Sequence, residues 1–90
     1  MKLSLNGLTI SEVSSAHAIL LEALGEWNDQ ESLDLSDIHA IDMCGIQLLL
    51  SFHKSLDVLG YPLKLSGMSD YLKSSFILSG CAEALGIAHE

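Results

Sequence analysis

The sequence predicts one α/β domain over residues 1–90: a mixed four-stranded sheet with an N-terminal hairpin and three main helices, a fifth C-terminal strand being left open. Three observations lead there. From Leu33 to Leu59 a short apolar run passes through a polar loop into a long stretch whose apolar residues recur at helical spacing. Residues Leu3 to Ile10 alternate apolar and polar on both sides of Asn6-Gly7, the strongest short hairpin signal. Ninety residues suffice for a single core but not for a cleft between domains, which favours a small regulator over a large enzyme.

The elements follow in order. After the hairpin, Ser11 to Ser15 offer N-cap side chains, and Val13, Ala16, Leu20, Leu24 and Trp27 recur at helical spacing, predicting a first helix that ends near Gly25. Leu33 to Leu35 is a strand, joined to the hairpin by a parallel crossover through that helix. The segment Asp37 to Gly45 is then a loop, with Asp42 as N-cap of a second helix running from about Met43 to Leu59 and stopped by Gly60 and Pro62. On a helical wheel Gly45, Leu48, Leu49, Phe52, Leu56 and Leu59 form the sheet-facing stripe; Met43 and Leu50 project away from it and Ile46 lies at its border. Leu63 to Ser66 alternates as a half-buried or edge strand, Ser69 caps a third helix broken at Gly80, and a short helical turn fits around Ala82 to Leu85.

Composition narrows the function. Apolar residues make up 49% of the chain, yet no run approaches the about 18 residues of a membrane span. Met1-Lys2 leads into Leu3-Ser4-Leu5 without an apolar signal region, which predicts a cytoplasmic product with Cys44 and Cys81 reduced. Twelve acids against four bases give a net charge of −8, which repels nucleic acid and anionic lipid and favours a partner with a basic surface.

No residue pattern points to catalysis. His17, His39, His53 and His89 form no ligand pair with each other or with the cysteines, so solvent-facing or packing roles outweigh a metal site. Asp34, Asp37 and Asp42 cluster near one loop, but a strand-end acid and a helix cap account for two of them. Cys44 stands in a first helical turn, where the dipole favours a thiolate, without a histidine base at a telling spacing. There is neither a glycine-rich phosphate loop nor a Gly-x-Ser-x-Gly elbow. No cofactor is expected.

The stretch DLSDIHAIDMCGIQLLL resembles the signature of STAS domains, in which a D-L-S-x-V strand leads through I-D-x-x-G into a leucine-rich helix. Asp34, Leu35, Ser36, Ile38, Ile41, Asp42, Gly45, Gln47, Leu48 and Leu49 carry the pattern. Gly7-Leu8-Thr9-Ile10 and Leu78-Ser79-Gly80 look like the family's opening and close. The compact length is most similar to the branch holding the small STAS subunit of bacterial lipid transporters, beside the anti-sigma factor antagonists.

The resemblance implies a non-enzymatic, protein-binding module of bacterial signal transduction. Anti-sigma factor antagonists bind a partner kinase, which phosphorylates a serine or threonine in the I-D-x-x-G loop and so breaks the complex. In this chain the two variable positions are Met43 and Cys44, neither of which accepts phosphate from a serine kinase. The expected docking face is the loop 37–45 with the outward side of the second helix, comprising Asp37, His39, Asp42, Met43, Cys44, Ile46, Gln47 and Leu50. The expected partner is an anti-sigma factor or serine-kinase-like protein. Two alternatives stand beside it: an accessory subunit of a lipid-transporter ATPase, and a thiol or small-ligand sensor using Cys44. Neither nucleic acid nor direct membrane insertion is expected.

Overall fold

Met1 to Leu8 runs alongside the stretch from Leu33 to Ile41 in the computed structural model, which describes residues 1–85. The elements are β1 (Gly7–Leu8), α1 (Val13–Leu24), β2 (Leu33–Asp34), β3 (Ala40–Ile41), α2 (Met43–Val58), β4 (Leu65–Ser66) and α3 (Asp70–Leu78). β1 pairs in parallel with β3, Gly7 opposite Ala40 and Leu8 opposite Ile41, while β2 pairs in parallel with β4, Leu33 opposite Leu65 and Asp34 opposite Ser66. Lys2 forms a further parallel bridge to Asp34, and the Leu3 amide donates to the Asp34 carbonyl at 3.0 Å.

Two expectations are corrected here. The N-terminal hairpin does not form: a two-residue type I′ turn needs positive φ at both central residues, and neither Asn6 nor Gly7 adopts it. The two short runs lie instead in one line, each against a different part of the 33–41 stretch. The four-stranded mixed sheet is replaced by two two-stranded parallel pairs. They are divided by the turn at Ser36–Asp37, where the Asp34 carboxylate accepts the Ser36 amide at 2.9 Å and the ladder is interrupted. The predicted loop 37–45 accordingly contains a strand of its own, β3. A fifth strand and His89 fall outside the described residues.

α2 and α3 follow their local signals, whereas α1 begins after Glu12 without the side-chain N-cap expected from Ser11 to Ser15. Asp42 caps α2, Ser69 caps α3 by accepting the Leu72 amide at 3.2 Å, and Gly60 and Gly80 turn the chain after α2 and α3 at φ of 83° and 79°. Ala82–Leu85 forms the expected turn, with Ala82 and Leu85 buried. The buried face of α2 is Gly45, Ile46, Leu49, Phe52 and Leu56. Leu59, assigned to the stripe, is 52% exposed because the helix has ended at Val58. Trp27, just beyond α1, packs edge-on against Phe52 with ring centroids 5.2 Å apart, closing α1 onto α2.

Candidate functional site

The site lies where β1 and β3 end side by side and hand over to α1 and α2. Asp42 sits at the junction in extended conformation. Its Oδ1 accepts the amides of Cys44 at 2.9 Å and Gly45 at 3.2 Å, which is the N-cap of α2. Its Oδ2 accepts the Ile10 amide at 2.9 Å, tying the β1–α1 turn to the same carboxylate. These bonds, the one from Ile10 foremost, hold the Asp42 carboxyl below its ordinary pKa.

The turn is locked from its other side. Glu12 Oε1 accepts both the Thr9 amide at 3.0 Å and the Thr9 hydroxyl at 2.5 Å, an arrangement related to the capping box. The hydroxyl bond, followed by the amide bond, lowers the Glu12 pKa. Gly45 allows the close approach of α2 to β1: a Cβ there would run into the Leu8 carbonyl oxygen and lie 2.7 Å from the Leu8 Cβ. Gly67, at φ 68°, does the same for the second strand pair, since a Cβ would strike Asp34 Oδ1 and come within 3.0 Å of Ser36. The glycine of I-D-x-x-G and the aspartate of D-L-S therefore have separate structural reasons.

Of the residues assigned to a docking face, Asp42, Met43, Cys44 and Gln47 share the start of α2; Met43 is 51% exposed, and Cys44 and Gln47 are exposed as well. Ile46 does not belong there, being 3% exposed and part of the core. Leu50, expected to project into solvent, is half-buried against the core. The wheel set Ile46 at the border of the buried stripe and Leu50 outside it; both are covered further because α2 meets β1 and β3 on one side and α1 on another, a wider arc than a sheet alone would cover. Asp37 pairs with Lys2 Nζ at 3.4 Å, and His39 is exposed while its amide donates to the Asn6 carbonyl at 2.7 Å.

Ile10 is the site residue that the sequence reading missed. It is 71% exposed and held by Asp42 beside the start of α2, although it had been assigned to a hairpin strand. The signal that could have found it is Thr9-x-x-Glu12, a turn-closing pair that ends the strand at Leu8. The three aspartates weighed as a cation site are each engaged elsewhere: Asp34 by the Ser36 amide, Asp37 by Lys2 and Asp42 by three amides.

The family model for the STAS domain matches residues 5–89, a span that includes the D-L-S turn, the Asp42 N-cap and Gly45. The chain belongs to the STAS domain family. Among curated proteins no sequence matches it. Membership points to a regulatory or binding module, from a family whose members interact with protein partners and are generally non-enzymatic. No helix among the described residues is long and apolar enough to cross a membrane.

Proposed function

We propose that this STAS domain is a regulatory module that docks on a protein partner through the start of α2 and the adjoining β1–α1 turn, with Cys44 standing where related modules carry a phosphorylated serine or threonine. The observation that carries the reading is the exposure of two large apolar side chains, Ile10 and Met43, on either side of the fully hydrogen-bonded Asp42. Apolar groups fixed on a rigid backbone and surrounded by polar residues suit a protein interface, because little conformational freedom is lost when they are covered. The docking residues are Ile10, Asp42, Met43, Cys44 and Gln47, with Asp37 and His39 at the rim and Ile46 acting only from the core beneath. The net charge of −8 speeds encounter with a basic partner surface.

A thiol accepts no phosphate from an ordinary serine kinase, so binding is constitutive or controlled at another position. The test is affinity capture from the native cell with wild type and with Met43→Asp as baits. A protein held by wild type and lost with Met43→Asp supports the reading, and its identity separates a serine-kinase-like partner from a transporter ATPase. Equal capture by both baits contradicts this docking face.

A further inference from the structure

Consecutive amides in the β1–α1 turn are held by two different carboxylates, that of Thr9 by Glu12 and that of Ile10 by Asp42. Glu12 stands at the N-cap position of α1 but makes no cap bond to the helix; its carboxylate reaches back and takes the Thr9 hydroxyl together with the Thr9 amide. The peptide between Thr9 and Ile10 is bonded at both ends, its carbonyl accepting the Glu12 amide at 2.9 Å and its N–H donating to Asp42 Oδ2 at 2.9 Å. Gly7 leaves room for this arrangement, since a Cβ there would stand 3.2 Å from Glu12 Oε1.

We propose that Thr9 and Glu12 are positioning residues of the docking face, holding Ile10 where it and Met43 meet the partner together; this role rests on the docking face argued above. The bond from Asp42 fixes one atom of the Ile10 backbone and leaves the turn free to rock about it. A second carboxylate, gripping the residue before, removes that freedom. Ile10 is 71% exposed and gains nothing from the core by being held, so the bonds around it fix an apolar side chain in solvent. Fixing it beforehand lowers the conformational cost of covering it, which is where preorganisation raises affinity. The side chains of Thr9 and Glu12 are half-buried and could also touch a partner, whereas Gly7 is buried and can act only through the turn.

Four variants of the full chain test this. Thr9→Val removes the hydroxyl and keeps the branched shape, Thr9→Ser keeps the hydroxyl, Glu12→Ala removes the acceptor, and Gly7→Ala crowds the Glu12 carboxylate from a buried position. Amide hydrogen exchange of the free chain, followed by NMR, reads the turn. Binding to the protein held by wild type and lost with Met43→Asp reads docking. Exchange at the Thr9 and Ile10 amides is expected to rise at least about threefold in Thr9→Val, Glu12→Ala and Gly7→Ala, with the Leu72 amide at the start of α3 unchanged. Binding should weaken about fivefold in the same three and recover in Thr9→Ser. Exchange at Ile10 that is indifferent to Thr9→Val and Glu12→Ala overturns the proposal. So does full binding by variants whose turn has loosened while Met43→Asp still fails to bind, a result that leaves the docking face itself standing. Equal capture by wild type and Met43→Asp removes the docking face and the positioning role with it.

Discussion

The carboxylate of Asp42 holds the amide of Ile10, 32 residues earlier in the chain, at 2.9 Å, while its other oxygen caps α2. One side chain thus joins the ends of β1 and β3 and fixes both apolar groups of the proposed docking face. Removing its charge should loosen the two segments together. Asp42→Asn is expected to melt below wild type at neutral pH and to speed hydrogen exchange at the Ile10 and Gly45 amides. The folded pKa of Asp42 is lowered from 3.8, mainly by the Ile10 amide. Its contribution is therefore complete above the unfolded carboxyl pKa and is lost as pH falls through the lower folded value. The melting gap between wild type and Asp42→Asn should close below the ordinary carboxylate range; a gap constant with pH would contradict the assignment.

Gly45→Ala sets two effects against each other. Alanine improves helix propensity by about 1 kcal/mol, but its Cβ meets the Leu8 carbonyl, a backbone atom that cannot turn aside. Overpacking of this kind costs about 1–3 kcal/mol, so a net loss of stability is expected in denaturant titration. Unchanged or raised stability would show that α2 can slide away from β1.

How much of this was legible in the sequence depends on how local each signal is. The N-caps Asp42 and Ser69 and the stops at Gly60 and Gly80 act within one turn of chain, and all four are found as read. Strand pairing is non-local, and two-residue strands carry almost no periodicity. Asn6-Gly7 imitated a hairpin, and Ala40–Ile41 looked like loop because its strand partner, Gly7–Leu8, lies 33 positions earlier by register. At the site, Asp42, Met43 and Cys44 were readable from the helix start. Ile10 was not, since its place depends on the bond to Asp42, and the burial of Ile46 and Leu50 depends on how much of α2 its neighbours cover.

Phe52 is 5% exposed and meets Trp27 edge-on at 84°. Phe52→Ala should cost about 3–5 kcal/mol, a large share of the roughly 5–15 kcal/mol stability of a small domain. The fluorescence of the single tryptophan, measured through a denaturant titration, should report both the loss and a changed native spectrum. A native spectrum identical to wild type would rule out the Trp27–Phe52 contact.

The two projecting residues of the helical wheel should now behave differently. Met43→Asp, at a 51% exposed position, is expected to shift stability by no more than about 0.5 kcal/mol. Leu50→Asp, at a half-buried position packed on the core, should cost about 1–3 kcal/mol because a charge is brought against apolar neighbours. Equal unfolding midpoints for the two variants would contradict this placement of Leu50.

The central claim is that the start of α2 binds a partner while its phosphate-acceptor position has been silenced by Cys44. Partner affinity measured for wild type, Cys44→Ser and Cys44→Asp tests it most directly, with mass spectrometry of each protein from its native cell. Serine is close to cysteine in size and should leave the affinity of unmodified protein unchanged. Aspartate adds a second negative charge beside Asp42 in an interface that loses water on docking, and binding should fall by at least about tenfold. Equal affinity for all three proteins, or phosphate found at Ser36 of the wild-type loop, would contradict the account.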